Sequence, residues 1–296
     1  MTPTWQSADG AVRLFLGDCL AWMREQPDKC VDLVFGSPPY EDARTYGMDF
    51  KLQGEDWVAW MVEIVRESVR VSRGLAAFVI EGRTRKFRWS ATPVMLMADL
   101  HRAGVHLRKP PIFHRVGIPG SGGPDWWRND YEFVVCATIA GKLPWSDNIA
   151  TGKAPKFAPG GAMSYRNVDG RRKNERTGKA KTLSQHARTN GEKGNLGYVP
   201  PVKANPGNVV TCKVGGGHMG HSLAAENEAP FPESLAESFV RCFCPPGGTV
   251  LDPFGGSGTV GAVAQRFGRE AILVDIRESQ IALMIERLSQ PRLPGM

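Results

Sequence analysis

No apolar run in this chain approaches the roughly 18 residues that a helix needs to cross a bilayer. The opening residues, Met1-Thr2-Pro3-Thr4-Trp5, have neither the charged nor the apolar region of a secretion signal. Six cysteines (Cys19, Cys30, Cys136, Cys212, Cys242 and Cys244) are scattered, and no Cys-x-x-Cys pair occurs. That spacing argues against a disulfide framework and a zinc ribbon. His218-x-x-His221, in a glycine-rich stretch, lacks a third ligand, so no metal is expected there. The expectation is a reduced, cytoplasmic protein with no membrane partner.

Acidic residues are scarce in one place. From Lys142 to Lys213 there are fourteen Lys/Arg and four Asp/Glu, whereas the remaining chain holds 23 and 26. The formal net charge of +7 therefore resides in one segment rich in Gly, Asn and Pro. Taken locally it reads as a solvated insertion. A basic insertion on a near-neutral body is also what a phosphate backbone requires of its partner. Arg44, Arg166, Arg171, Arg172, Lys173, Lys179, Lys181 and Arg188 are the candidate nucleic-acid contacts, with Trp145, Phe157, Tyr165, His186 and Tyr198 interleaved among the insertion's cations.

The rest alternates strands and helices. Val12–Leu16, 31–35, 75–81, 131–137, 249–252 and 271–275 read as strands. Helices are expected after Gly17-Asp18 and over 57–71, 91–103, 232–241, 260–267 and 278–288. Such alternation predicts an α/β fold with a doubly wound, mostly parallel sheet. The expected divisions are 1–144, a basic insertion at 145–205, and 206–296.

Two loops stand at strand ends, where open α/β sheets place their chemistry. The first is Gly36-Ser37-Pro38-Pro39-Tyr40. Its prolines stiffen the turn and remove two backbone donors. The Ser37 hydroxyl and the Pro38 carbonyl remain as acceptors, beside the Tyr40 ring. Acceptors next to a stacking surface suit an exocyclic amine on a flat heterocycle. By itself the pattern also fits a Pro-Pro turn that merely ends a strand.

The second loop is Asp252-Pro253-Phe254-Gly255-Gly256-Ser257-Gly258-Thr259, followed by a strand ending in Asp275. Gly256-x-Gly258-x-x-Gly261 matches the dinucleotide fingerprint, with Asp275 placed for a ribose. A nicotinamide reading leaves Asp252 and Phe254 unused. S-adenosyl-L-methionine uses them: Asp252 for the α-ammonium, Asp275 for the ribose, and Phe254 with Asp18 for the adenine. Asp18 reads equally well as a helix N-cap.

Together these loops resemble the amino-methylating DNA methyltransferases, whose hallmarks are an Asp/Asn/Ser-Pro-Pro-Tyr/Phe acceptor loop and an Asp-x-Phe-x-Gly-x-Gly cofactor loop. Acceptor loop first, variable region in the middle and cofactor loop last is the order of the family's circularly permuted β class. Leu16-Gly17-Asp18 resembles the segment upstream of the acceptor loop. Ala229-Pro230-Phe231-Pro232-Glu233-Ser234-Leu235 resembles the segment packed beside the methionine end of the cofactor, with Ala-Pro where Lys-Pro is more usual. The resemblance implies a Rossmann-like methyltransferase fold and S-adenosyl-L-methionine as cofactor, contacted by Asp18, Pro230, Phe231, Asp252, Pro253, Phe254, Gly256, Ser257, Gly258, Thr259 and Asp275. It implies a catalytic loop of Ser37, Pro38, Pro39 and Tyr40, and double-stranded DNA as partner. A homodimer is compatible with it. The first residue, Ser37, is more typical of cytosine-N4 than of adenine-N6 enzymes. The base would be flipped out and stacked on Tyr40. The chain has no Pro-Cys dipeptide of the carbon-5 cytosine enzymes. Glu41 and Asp42 are expected to be solvated. An adenine-N6 enzyme is the nearest alternative; an NAD oxidoreductase or a non-catalytic DNA-binding protein is more remote.

Overall fold

The computed structural model describes residues 2–41, 50–117, 122–154, 202–215, 217–227 and 230–289. The chain divides into two compact units, 1–148 with 207–296, and 149–206. In the second, the Gly152 N–H donates to the Ile149 carbonyl and the Ala204 N–H to the Lys153 carbonyl (2.9 and 2.8 Å). Arg44, Arg166, Arg171, Arg172, Lys173, Lys179, Lys181 and Arg188, along with Phe157, Tyr165, His186 and Tyr198, lie outside the described residues.

The first unit is built on one ten-stranded sheet. In chain order its strands are β1 (Trp5–Gln6), β2 (Val12–Leu16), β3 (Val31–Gly36), β4 (Ser72–Ile80), β7 (His106–Leu107), β8 (Ile112–Val116), β9 (Tyr131–Thr138), β10 (Val209–Lys213), β11 (Thr249–Asp252) and β12 (Glu270–Asp275). The intervening β5 (Thr84–Arg85) and β6 (Arg88–Trp89) form a separate hairpin. The spatial order is β1-β2-β12-β11-β3-β4-β9-β8-β10, with β7 also on β9. Strands β2, β12, β11, β3 and β4 run parallel, whereas β9 is antiparallel to both β4 and β8.

The strand sequences explain the layering. Leu33, Phe35, Leu75, Ala77, Val79, Val250, Ala271 and Leu273 pack in one core. Their alternates Val34, Ala76, Phe78, Ile80, Leu251, Ile272 and Val274 pack in the other, as does Val31 across a register irregularity in β3. A period of two thus buries both faces of the parallel strands, which read as continuous apolar runs. One face is covered by α1 (Cys19–Arg24), α2 (Gly54–Val71) and α3 (Thr92–Arg102), the other by α4 (Glu233–Phe243), α5 (Thr259–Arg266) and α6 (Glu278–Ser289). Helix α2 buries Trp57, Val58, Met61, Ile64, Val65, Ser68 and Val71, a single stripe at helical spacing. Each such buried aliphatic or aromatic side chain contributes about 1.5–3 kcal/mol.

The site follows from the connections. From β3 the chain crosses by α2 to β4 on one side; from β11 it crosses by α5 to β12 on the other. Strands β3 and β11 are neighbours, with Leu33 opposite Val250 and Val34 opposite Leu251. Their carboxyl ends therefore flank the switch point, where such sheets open a crevice.

Candidate active site

Both sequence-predicted loops open into this crevice. Gly36, the last residue of β3, lies directly against the Asp252 carboxylate: a Cβ there would overlap Oδ1. Only glycine lets the two loops approach this closely. Beyond them is a cavity of about 330 Å³. Ser37 and Pro39 line it from the acceptor side. From the other side come Asp18, Pro230, Phe231, Asp252, Pro253, Phe254, Gly256, Ser257, Thr259 and Asp275.

Three expected residues do not line the cavity: Gly258, Pro38 and Tyr40. Gly258 has φ +75° and precedes α5, where a Cβ would press on Met284 Cγ at 3.2 Å. That glycine serves the packing of the turn against α6. Pro38 is buried beneath its loop. Tyr40 stands to one side, its hydroxyl donating to Glu132 Oε2 on β9 at 2.6 Å.

The acceptor loop is held by side chains from elsewhere. The Ser37 hydroxyl donates to the Val79 carbonyl at 3.2 Å, which leaves its lone pairs as the groups it can present to a ligand. Trp57 Nε1 donates to the Pro39 carbonyl at 2.9 Å. Glu41 is only 6% exposed, which corrects the expectation of a solvated loop acid. Its Oε2 accepts from the Gly54 N–H at the start of α2, and its Oε1 from the Arg83 N–H, each at 3.0 Å. A carboxylate at a helix N-terminus satisfies donors the helix leaves open. Behind Tyr40, Glu132 Oε1 pairs with Arg115 at 2.9 Å. Burial raises the Glu132 pKa, while Arg115 and the Tyr40 hydroxyl oppose the rise.

The cofactor-side loop is held by backbone and buried charge. Asp252 Oδ1 accepts from the Phe254 N–H at 3.0 Å. Burial pushes the Asp252 carboxyl up to about 7; the Phe254 bond opposes that, and the charge of Asp275 adds to it. Asp275 Oδ2 accepts from the Gly256 N–H (2.9 Å) and Oδ1 from the Arg277 N–H (3.0 Å), so the acid closing β12 braces the glycine turn. Its pKa too is raised by burial. Asp18 caps α1, its Oδ1 accepting from the Ala21 N–H at 2.7 Å, as its N-cap reading expected, and it also lines the cavity. Under the turn, Arg287 donates to the Ser257 carbonyl, Ser257 Oγ and Thr259 Oγ1 (2.9, 3.2 and 3.1 Å). Its other nitrogen donates to Glu233 Oε1 at 2.6 Å, and Glu233 also binds Arg266.

The sequence reading missed Phe50, Leu52, Trp60, Asn227, Ile276 and Arg277, which with Gly17, Cys19 and Gly255 complete the lining. Phe50, Trp60 and Phe254 form an aromatic wall, with centroids 5.3 and 5.8 Å apart along the chain of contacts. Trp57 and Trp60, three residues apart, share a side of α2 (6.4 Å), a spacing that could have flagged them. Glu132 carries a similar signal, the one charge on an otherwise largely apolar strand.

Three acids, a glycine turn, an aromatic wall and an acceptor loop at one switch point define a group-transfer site of the Rossmann-like methyltransferase class. The chain belongs to the N6/N4 DNA methylase family, whose model matches residues 31–286. DNA adenine methyltransferase YhdJ of Escherichia coli K12 is 26% identical over 92% of this chain and 81% of its own length. The type II methyltransferase M.PvuII of Proteus hauseri is 23% identical over 95% and 84%. Among solved structures, the cytosine-N4-specific PvuII DNA methyltransferase superposes with a TM-score of 0.67, at 16% identity, covering 99% of this chain and 91% of that one. A Thermus thermophilus protein, TTHA0409, solved with S-adenosyl-L-methionine, gives 0.53 at 20% identity, covering 93% and 94%.

Proposed function

We propose that the protein methylates the exocyclic N4 amine of a cytosine flipped out of duplex DNA, with S-adenosyl-L-methionine as methyl donor. One observation carries this: the Ser37 loop and the Asp252 loop abut at Gly36 and line one cavity. The cavity's chemistry fits the cofactor. Asn227 Oδ1, on its wall, is buried with no hydrogen-bond partner and is an acceptor awaiting a donor. Asp252, once ionised, offers a carboxylate to an α-ammonium. Asp18 and Asp275 offer acceptors to adenine and ribose. Phe50, Trp60 and Phe254 supply an apolar wall. When bound, the cofactor supplies an electrophilic sulfonium methyl.

The chain's part in the reaction is to prepare a weak nucleophile. An aromatic amine's lone pair is delocalised into its ring. Ser37 Oγ and the Pro38 carbonyl accept the amine's two N–H groups and favour a pyramidal nitrogen. Holding that nitrogen at the cavity mouth makes the attack effectively unimolecular. Tyr40, fixed through Glu132, stacks on the extruded base. No covalent bond between enzyme and base is needed. The basic segment at 145–205 is assigned to target recognition.

Duplexes lacking either cytosine or adenine, incubated with tritiated cofactor, test the base. Label enters only the cytosine-containing duplexes, and Ser37→Ala lowers kcat at least about tenfold, near 1.4 kcal/mol, with cofactor affinity kept. Label confined to adenine, the base named for YhdJ, would replace N4-cytosine by N6-adenine as the substrate. Undiminished transfer by Ser37→Ala would remove that loop from the mechanism.

A further inference from the structure

The β5–β6 hairpin carries chemistry that the site so far does not use. The stretch 82–92 contains four basic residues (Arg83, Arg85, Lys86 and Arg88) and no acid. All of 84–89 is exposed. Thr84 pairs with Trp89 and Arg85 with Arg88, so Lys86 and Phe87 form a two-residue turn. Both have positive φ, 47° and 64°. Such turns favour Asn-Gly because other side chains are strained there. The bulky Phe87 at that position is left 79% exposed and makes no ring contact among the described residues. Strain of this kind collects at functional sites.

The base of the hairpin is fixed to the acceptor loop. The Arg83 N–H donates both to Glu41, the residue after Tyr40, and to Ser90 Oγ (3.0 and 2.9 Å). Trp89 Nε1 donates to Glu81 Oε1 at 3.0 Å, and its ring stacks on Phe133 of β9 with centroids 6.5 Å apart. Gly82 has no room for a Cβ beside that indole. Strand β4 leaves the sheet at the edge from which Ser37 emerges, Gly36 lying opposite Phe78. A rigid stem thus presents an aromatic tip flanked by cations next to the acceptor loop.

We infer that this hairpin is a DNA-contacting element beside the target base: Phe87 packs against bases exposed by flipping, and Lys86 and Arg88 hold the flanking phosphates. An apolar wedge with neighbouring cations is the arrangement by which proteins open a duplex. The inference rests on duplex DNA being the substrate.

The test uses the full-length protein, a fluorescein-labelled short mixed-sequence duplex, and anisotropy across a sodium chloride series. Cofactor affinity is measured in parallel by calorimetry. Lys86→Gln with Arg88→Gln weakens duplex binding at low salt about tenfold or more and reduces the log–log salt slope by about two. Phe87→Ala weakens binding severalfold and leaves the slope unchanged. Cofactor affinity stays at the wild-type value in all variants. Wild-type affinity and slope in the variants, while the unmodified protein binds the duplex, overturns the hairpin's role alone. A wild type that takes up cofactor but neither binds nor methylates any duplex overturns the functional reading and the hairpin's role together. A loss seen on anionic phospholipid vesicles but not on the duplex assigns the hairpin to another surface and also overturns the inference.

Discussion

The two walls of the cavity are rigid for different reasons. The cofactor wall is held from within its own sequence neighbourhood: Asp252 binds the N–H two residues on, and Asp275 braces the turn of the adjacent strand. A more distant support is Arg287, which donates to Ser257 and Thr259 and is itself paired with the buried Glu233. The acceptor wall has little local support. Two prolines stiffen it, but its placement comes from Trp57, Gly54, Val79, Arg83 and Glu132, spread over α2, β4, the base of the β5–β6 hairpin and β9. The glycine-turn wall is thus largely a local motif, whereas the Ser37 wall is assembled from distant elements.

Removing Arg287 is the severest way to break that contrast. Arg287→Ala leaves Glu233 buried without that partner and frees three groups of the glycine turn. A loss of about 3–5 kcal/mol in urea unfolding is expected. Burial lowers the Arg287 pKa, but its carboxylate partner opposes that, so the pair is expected to stay charged and Arg287→Lys to recover part of the loss.

The next effect is a pH dependence with two opposite signs. The Asp252 carboxyl is raised from an ordinary 3.8 to about 7. A raised folded-state value stabilises the protein fully below the unfolded value and loses that contribution as pH rises. Stability of the unliganded protein through this group therefore falls between about pH 4 and 7. Binding of a cationic α-ammonium needs the carboxylate, so cofactor affinity rises across the same window. Asp252→Asn flattens both curves, which thermal unfolding and calorimetry over pH will show.

A smaller effect sharpens the acceptor side. Tyr40→Phe leaves the cavity lining intact but removes the hydrogen bond from the ring to β9. Methyl transfer is expected to fall about tenfold in kcat, near 1.4 kcal/mol, with cofactor affinity unchanged. A change in cofactor affinity instead would mean that the two walls are coupled through β9.

The same contrast explains what the sequence disclosed. Strand 31–35, the helix on 57–71 and the glycine turn are local patterns, and the structure has them at Val31–Gly36, Gly54–Val71 and Gly256–Thr259. Asp18, Asp252 and Asp275 were legible because each stands at or just past the end of a short apolar strand run. The supports of the acceptor loop were not, because Glu132 is 92 residues from Tyr40 and only the antiparallel β9 brings them together. Strands β8 and β10 were missed as well. Each is five residues long with a single buried residue, toward the sheet's far edge, so their apolar signal is weak.

A crystal structure with S-adenosyl-L-homocysteine tests the shared cavity most directly. The account predicts the amino-acid end at Asp252 and Asn227, the ribose at Asp275, the adenine toward Asp18, and the sulfur facing Ser37. The ligand bound elsewhere, or bound with its sulfur turned away from Ser37, would contradict it.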